Sequence, residues 1–315
     1  MTILRERSTP PLSARVVLVL LLLSLQLAAG HELLAETLRV HFIDVGQGDA
    51  ILLETDEHAV LVDAGESERA ARYLSELEID RLDLAVATHA HADHVGGFPA
   101  VFDTVEVRRL WYNGQEHTTL TFERFLDAAL ASGASYHEPV RGEEIAFGRL
   151  TIEVLHPEHS AAEYEGHLHD KNIVLRARYG EFSALLTADA EQSVEHELRE
   201  REGLAMRSTV LKLGHHGSNT SSSREFFETV CPAVVVYQAG RDNPYGHPHA
   251  EVLERVAAYT EAELFGTDRH GTIVIETDGI EYEVTREHEE AVEPAAAYRR
   301  TPSAPPAVSA SCGSL

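Results

Sequence analysis

Residues 88–94 constrain this chain more than any other segment, because they place three histidines and an aspartate directly after an apolar run. Their sequence is Thr-His-Ala-His-Ala-Asp-His. The preceding residues 82–87 are mostly apolar and predict a buried strand. The four polar side chains are therefore expected on the loop at the carboxyl end of a strand, where a rigid sheet can hold them in fixed positions.

The spacing of these side chains divides them into two pairs. In an extended segment His89 and His91 point the same way. Asp93 and His94 fall in the following turn and reach a neighbouring position. Since histidine and aspartate are common ligands of divalent metals, the pattern predicts a site for two metal ions. The alternative is a solvated histidine-rich loop, because the chain contains 19 histidines.

A two-metal site needs ligands from other loops, and two further strands end in suitable residues. Asp189 follows the strand-like residues 185–188 and is the candidate for a carboxylate shared by both ions. The alternative role for Asp189 is to cap the helix that begins just after it. His215 and His216 follow the predicted strand 209–213 and lie between glycines, which are poor material for a helix. One of these two histidines is therefore predicted to be a ligand.

Length and composition indicate a folded globular chain with one large or two ordinary domains. The chain has 315 residues, of which 43% are hydrophobic and 25% are charged. Its formal net charge of -26 at pH 7 repels nucleic acid over long range. A solvated acidic surface that keeps the protein soluble is the simplest explanation of this charge.

The two ends of the chain differ from its middle. Arginines precede an uncharged run at residues 16–30, which ends in Leu-Ala-Ala-Gly, so residues 1–30 predict a cleaved export signal. The alternative is an uncleaved anchor, and either one places the protein in the periplasm or outside the cell. No further membrane domain is predicted. Residues 287–315 are rich in Glu, Ala, Pro and Ser and predict a disordered tail, which leaves residues 37–286 as the folded domain.

Strand-like and helix-like segments alternate through this domain. Residues 38–45, 50–54 and 59–63 predict antiparallel strands, and residues 67–77 predict a helix. The second half follows the same plan of strands, a helix and a polar loop of His and Asp. Two such halves predict an α/β fold in which two sheets pack face to face with helices outside. The ligand loops would then meet along one edge.

Six segments of the chain match, in order, the motifs of one known family. They are Phe-Ile-Asp-Val-Gly-Gln-Gly-Asp at 42–49, Val-Asp-Ala-Gly at 62–65, residues 88–94, Leu-Leu-Thr-Ala-Asp at 185–189, Leu-Lys-Leu-Gly-His-His-Gly-Ser at 211–218 and Asn-Pro-Tyr-Gly-His-Pro at 243–248. In these segments the chain resembles the metallo-β-lactamase-fold hydrolases, and more narrowly the soluble domain of the competence protein ComEC. The resemblance implies a four-layer αβ/βα sandwich and a metal-dependent hydrolase.

The resemblance also implies a role for each candidate site residue. The first metal would be bound by His89, His91 and His169, the second by Asp93, His94 and His215, and Asp189 would bridge them. Asp63 would orient the ligand loop. The catalytic residues would be Asp93, His216 and His247, with the two histidines on the substrate side, where they would bind phosphate or protonate the leaving oxygen.

The chain departs from the competence branch at two of these positions. His169 occupies a position that is Asn in that branch, although the wider superfamily supplies a histidine ligand from this loop. The alternative is that His169 belongs to a merely polar loop beside His156, His159 and His167. Ala188 replaces the usual Gly before Asp189, a small change that we expect to be tolerated.

Two divalent ions would hold a hydroxide between them, lower the pKa of bound water towards about 7 and stabilise charge on a phosphoryl or acyl oxygen. Ligation rich in histidine favours Zn, and Mn or Fe is compatible with a mixed His/Asp site. The leading prediction is an exported phosphodiesterase or nuclease, whose phosphodiester substrates could include DNA.

Two other functions stay open at this point. A cell-wall hydrolase similar to the phosphorylcholine esterases is one, because the net charge favours a small zwitterionic substrate over a long polyanion. A non-catalytic module that binds metal or nucleic acid is the other. The sequence predicts no particular protein partner.

Overall fold

Two β-sheets form the centre of the fold in the computed structural model, which describes residues 36–160 and 167–288. The strands in chain order are β1 Leu38–Phe42, β2 Ile51–Glu54, β3 Ala59–Val62, β4 Arg81–Leu82, β5 Leu84–Ala87, β6 Glu106–Val107, β7 Arg109–Tyr112, β8 Ser135–His137, β9 Glu144–Phe147, β10 Leu150–His156, β11 Val174–Tyr179, β12 Phe182–Leu186, β13 Val210–Lys212, β14 Val234–Tyr237, β15 Glu263–Gly266, β16 Ile273–Thr277 and β17 Tyr282–Arg286.

Each sheet combines an antiparallel part with a parallel part. The first has eight strands in the order β17-β16-β1-β2-β3-β5-β7-β8, and the second has seven in the order β15-β14-β13-β12-β11-β10-β9. Strands β3, β5, β7 and β8 run parallel in the first sheet, as β12 to β15 do in the second. A small pair, β4 and β6, lies apart from both. The carboxyl ends of the parallel strands therefore share one edge of each sheet.

Helices connect the parallel strands. They are α1 Arg69–Glu76, α2 Ala92–Val95, α3 Phe98–Thr104, α4 Leu120–Ser132, α5 Gln192–Glu202, α6 Arg224–Val230, α7 Ala250–Tyr259 and α8 Thr267–His270, with short 3₁₀ turns at Leu168–Lys171, Gly203–Met206 and Gly214–Gly217. The hydroxyls of Thr119 and Ser223 cap α4 and α6 by accepting a backbone N–H of the first turn. None of the helices in the described residues is both long and apolar enough to cross a bilayer.

Apolar side chains form three cores, and these separate four layers. The central core lies between the two sheets and contains Ile51 and Leu53 from the first and Val236 from the second. Leu52 faces the opposite way, into a core with α1, α3 and α4. In the same manner, Val235 packs into a third core with α5, α6 and α7. Because side chains alternate between the two faces of a strand and both faces are covered, these strands are apolar at consecutive positions.

This arrangement confirms the predicted αβ/βα sandwich. The predicted helix at 67–77 is α1, and the turn predicted for Asp93 and His94 is the short helix α2. Glu287 and His288, which the sequence assigns to the tail, donate backbone hydrogen bonds to Thr272 and His270. The predicted export signal at 1–30 and the rest of the predicted tail lie outside the described residues.

Candidate metal centre

The candidate site residues lie on loops at the carboxyl ends of parallel strands. Asp63 directly follows β3, and residues 88–94 follow β5. Asp189 lies just after β12, and the turn Gly214–Gly217 follows β13. Such strand ends are the usual position of binding sites in open α/β sheets, because the sheet fixes the start of each loop. The sheets thus bring together residues that are far apart in sequence.

Three histidines and one carboxylate form the first ligand group. Each of His89, His91, His169 and Asp189 offers one ligand atom, and these atoms all lie within 4.8 Å of one another. Nδ1 of His91 is 3.0 Å from Nε2 of His89 and 3.3 Å from Nε2 of His169. Oδ2 of Asp189 lies 3.6 Å from Nε2 of His89. The structure therefore brings together the four residues that the sequence and its family resemblance suggest for a first metal.

The second ligand group lies on the other side of Asp189. Oδ1 of this carboxylate is 3.2 Å from Nε2 of His94 and 3.3 Å from Nε2 of His216. Oδ2 of Asp93 is also 3.2 Å from Nε2 of His216. Asp189 thus presents one oxygen to each group, which is the geometry expected of a bridging carboxylate.

The two adjacent histidines at 215 and 216 lie in different surroundings beside Asp189, and His215 also offers a ligand atom within 4.8 Å of ligand atoms of His169 and Glu191. His216, expected at the substrate side, is almost fully buried and completes the second group with Asp93 and His94. His215, expected to bind the second metal, is partly exposed, with its Nε2 3.7 Å from Oδ2 of Asp189. Both residues have left-handed backbone angles, with φ of 48° and 55°. In this tight turn their neighbouring side chains point in different directions, and the sequence does not show which one points inward.

Buried carboxylates lie beside the outer nitrogens of the second group. Asp63 accepts hydrogen bonds from the backbone N–H and the hydroxyl of Thr88, at 2.8 and 2.7 Å, and from Nδ1 of His94 at 2.7 Å. Asp49 lies 3.1 Å from Nδ1 of His216 and forms an ion pair with Lys212. Asp63 orients the ring of His94, and the carbonyl of Gln238, 2.9 Å from Nδ1 of His216, orients the ring of His216, so that both Nε2 atoms face Asp189. This confirms the position expected for Asp63.

Asp49 and Lys212 were not identified as site residues from the sequence. Lys212 is fully buried in β13, and its ammonium also donates to the carbonyl of Ala188 at 3.0 Å. A lysine inside an apolar strand indicates a buried ion pair, because a buried ammonium needs a carboxylate partner. The signal does not show which of the many acids is that partner.

The two groups differ in the pKa values of their histidines. Burial lowers the pKa of His91 to about 4, and the neighbouring His169 lowers it further. Burial acts in the same direction on His216, but Asp189 and Asp49 outweigh it and raise the pKa of His216 to about 10. In the same way Asp189 and Asp63 raise the pKa of His94 well above its usual value. Without a metal, the second group therefore carries protons that balance its carboxylates.

The donor atoms of the second group fit a divalent cation. Nε2 of His94, Nε2 of His216 and Oδ1 of Asp189 are buried, and none has a hydrogen-bond partner in the part of the chain that the structure describes. Unpartnered buried polar atoms are costly, so their convergence needs an explanation. A set of imidazole and carboxylate donors is typical of Zn, Mn and Fe sites. A cation bound here would take the place of the protons.

A second loop places His247 beside this centre, as expected. Its ring centroid is 5.4 Å from that of His215 and 6.1 Å from that of His216. Burial, followed by the proximity of His216, lowers the pKa of His247 to about 4. His247 and His215 therefore lie at the rim of the centre, outside the four-residue first group and the buried second group.

Four residues of these loops have left-handed backbones although they are not glycines. They are Asp63, Ala188, His215 and His216, with φ between 46° and 57°. Such angles cost energy and persist only where surrounding contacts enforce them. Their concentration around Asp189 indicates that the loops are shaped for the centre.

A four-layer sandwich with a His/Asp centre that could bind two metal ions defines a class of metal-dependent proteins. The family model described as "Metallo-beta-lactamase superfamily" matches residues 43–237, and the chain belongs to that superfamily. The metallo-beta-lactamase fold protein YhfI from Bacillus subtilis has the same fold, with a TM-score of 0.55 at 13% identity over 77% of this chain and 100% of that one.

Two relatives indicate to which branch of this superfamily the chain belongs. The chain is 30% identical over 255 residues to ComE operon protein 3 of Bacillus subtilis (strain 168), covering 74% of this chain and 32% of that protein. It is 32% identical over 235 residues to the competence protein ComA of Neisseria gonorrhoeae, covering 73% and 31%. The resemblance to the competence branch is thus confirmed, and the chain spans about a third of the length of these relatives.

Proposed function

We propose that this protein is an exported phosphodiesterase or nuclease that depends on two divalent metal ions. The position of His215 and His247 carries the proposal. These two imidazoles lie beside Asp189 and the ligand groups but are partly accessible to solvent. A phosphodiester that approached the centre would meet N–H donors at this rim as well as metal ions beneath it.

The ligand groups indicate which residues would hold the metals. The first ion would be held by His89, His91, His169 and Asp189. The second would be held by His94, His216 and Asp189, whose ligand atoms converge with a carboxylate oxygen of Asp49, and by Asp93, whose Oδ2 lies 3.2 Å from Nε2 of His216. When bound, two divalent ions supply an activated water and stabilise negative charge on phosphoryl oxygens. The abundance of histidine favours Zn, with Mn or Fe as alternatives.

The rim histidines have different chemistry. The lowered pKa of His247, about 4, makes it a neutral imidazole near pH 7. It is therefore suited to donating a hydrogen bond to a phosphoryl oxygen. His215 has Glu191 3.3 Å from its Nδ1, so the carboxylate can keep a proton there and orient the ring. Burial lowers the pKa of His215 from its usual value, although Asp189 and Glu191 act in the opposite direction. His215 is the candidate to assist the leaving oxygen because its Nε2 lies 3.7 Å from Asp189, at the open side of the centre.

Charge limits the substrates that this proposal covers. The net charge of -26 opposes the approach of long double-stranded nucleic acid at low salt. Short or single-stranded phosphodiesters carry fewer charges and suit the protein better. The export part of the proposal rests on the composition of residues 1–30.

A metal and substrate panel tests the proposal. Apo-protein is loaded with Zn, Mn or Fe and assayed on single-stranded DNA, double-stranded DNA and bis-p-nitrophenyl phosphate. We expect hydrolysis that EDTA abolishes and that Asp189→Ala and Asp189→Asn lose together with bound metal. Asp127→Ala, an exposed aspartate of α4, is the matched control and should keep both. A wild-type protein that binds two ions yet leaves every substrate intact would instead be a non-catalytic metal-binding module.

A further inference from the structure

A tyrosine ring is exposed at the rim of the metal centre. Tyr245 is 62% exposed, although its ring stacks on His247 with centroids 5.7 Å apart and planes inclined by 24°. His247 in turn lies nearly parallel to His216, at 6.1 Å and 30°. Three rings therefore lead in two steps from solvent to the second ligand group. Since one face of Tyr245 covers His247, the opposite face is open to solvent.

The loop that carries Tyr245 is held by its own side chains. Oδ1 of Asn243 accepts the backbone N–H groups of Tyr245 at 3.2 Å and His247 at 3.0 Å. Nδ2 of Asn243 donates to the carbonyls of Gly240 at 2.9 Å and His247 at 2.5 Å. One asparagine thus fixes both ends of the segment that carries the tyrosine and the histidine.

The same loop is fixed to the turn that carries the ligand His216. The backbone N–H of His249 donates to the carbonyl of Gly217, and the backbone N–H of Asn219 donates to Nδ1 of His249, both at 2.9 Å. A Cβ atom at Gly217 would lie only 2.7 Å from Cβ of Pro248. The two loops therefore pack in direct contact, and the tyrosine is held at a defined position relative to the second ligand group.

We infer that Tyr245 forms a stacking subsite for a planar ring of the substrate, so that the preferred substrate is a nucleotide phosphodiester whose base lies on the open face of this ring. An exposed aromatic ring on a rigid loop beside a phosphate-binding site is the arrangement by which proteins bind single-stranded nucleic acid without reading its sequence. This inference rests on the proposed phosphodiesterase function and specifies its substrate class.

A quaternary ammonium such as choline is the other group that aromatic rings bind. Sites for such cations usually enclose them with several rings. Among the described residues, His247 is the ring that contacts Tyr245, and the two are nearly parallel. This geometry extends a stack and does not form a cage, so it favours a planar base.

Three substrates with the same p-nitrophenol leaving group test the inference. They are thymidine 5′-(p-nitrophenyl phosphate), ethyl p-nitrophenyl phosphate and p-nitrophenylphosphorylcholine. We expect kcat/KM to be highest for the thymidine ester. Tyr245→Ala should lower this preference over the ethyl ester by about 10-fold, within the range known for base stacking, whereas Tyr245→Phe and Tyr245→Trp should keep it.

Calorimetry measures the binding of thymidine 5′-monophosphate and of ethyl phosphate to the metal-loaded protein. This readout needs no turnover. Tyr245→Ala should weaken the nucleotide and leave ethyl phosphate unchanged. Tyr282→Ala is the control, because its pairing with Thr277 places it at the end of the first sheet away from the centre. Melting temperatures verify that the variants fold.

The outcomes separate this inference from the proposed function. If no ester is hydrolysed but Tyr245→Ala still weakens nucleotide binding selectively, the phosphodiesterase proposal fails and the stacking subsite stands. If Tyr245→Ala affects both ligands equally or neither, the subsite is disproved. A selective loss of the phosphorylcholine ester would also overturn it, in favour of a cation site.

Discussion

The two ligand groups around Asp189 differ in how their outer nitrogens are held. In the second group, the rings of His94 and His216 are buried and face the buried carboxylates of Asp63 and Asp49. In the first group, His91 and His169 are partly exposed. The outer nitrogen of His169 faces Glu191, which is 30% exposed.

The histidines of the two groups are therefore prepared for metal binding in different ways. In the second group Asp63 fixes the ring of His94 and the carbonyl of Gln238 fixes the ring of His216, while the neighbouring carboxylates raise the pKa of both imidazoles. In the first group burial lowers the pKa of His89 well below its usual value and the pKa of His91 to about 4, so both side chains are neutral imidazoles near pH 7. We therefore expect the second ion to be held more rigidly and the first to exchange more readily.

Substituting His216 or His215 should have the largest effects on metal content and turnover. His216→Ala deletes a donor of the buried group, so we expect the loss of one of two bound ions and a fall in turnover beyond the ~100-fold typical of changes around a metal site. His215→Ala should keep both ions, because it deletes a residue of the rim, while turnover falls by about 100-fold. Metal content by elemental analysis, measured with turnover, distinguishes the two. Loss of an ion from His215→Ala alone would reverse this assignment.

Changing the outer carboxylates should show which group depends on them more. In Asp63→Asn an amide NH₂ or a weaker acceptor would face Nδ1 of His94, so we expect about 100-fold weaker binding of one ion. In Glu191→Gln the partly exposed His169 can hydrogen-bond to water instead. We therefore expect only about 10-fold weaker binding of one ion. Titration against a chelating dye gives both affinities. Equal losses would contradict the idea that burial makes the second group the more rigid one.

Proton release on metal binding should differ between the groups. His169→Ala disables the first group and His216→Ala the second, so each variant directs an ion to the other group. At pH 7.5 the solution lies below the pKa of His216, about 10, so this imidazole is protonated and binding to the second group should release a proton. His91, with a pKa of about 4, has none to release. Calorimetry of Zn binding in buffers of different ionisation enthalpy measures the release, and equal values in the two variants would contradict this expectation.

Ala188→Gly should have the smallest effect of these substitutions. Ala188 directly precedes Asp189, the ligand that both groups share. Ala188 has φ of 46°, which an L-residue adopts at a cost of about 1–2 kcal/mol. Glycine removes this cost but adds about 0.4–1 kcal/mol of entropy to the unfolded chain. We expect the free energy of unfolding to rise by about 0.5 kcal/mol, with both metal affinities unchanged. Urea denaturation measures the first quantity; a decrease would show that the buried methyl group contributes more than the strain.

Much of the fold was predictable because its signals are local. Apolar runs bounded by turns marked the main strands, and consecutive apolar positions such as 51–53 already indicated strands covered on both faces. The types and spacing of His89, His91, Asp93 and His94 indicated a metal site for the same reason. Their chemistry depends on side chains only a few residues apart.

The sequence by itself determined the order of the layers, the edge at which the loops meet and most of the ligand types. Only the tertiary structure decided which of two adjacent histidines is buried beside Asp189 and which is partly exposed, because both occupy left-handed positions in one tight turn. It also decided the pairing of Lys212 with Asp49 and the stacking of Tyr245 on His247 at the rim. Side-chain directions in a tight turn, and a contact such as that between Asp49 and Lys212, depend on how the two sheets pack together. The spacing of residues along the chain does not contain that information.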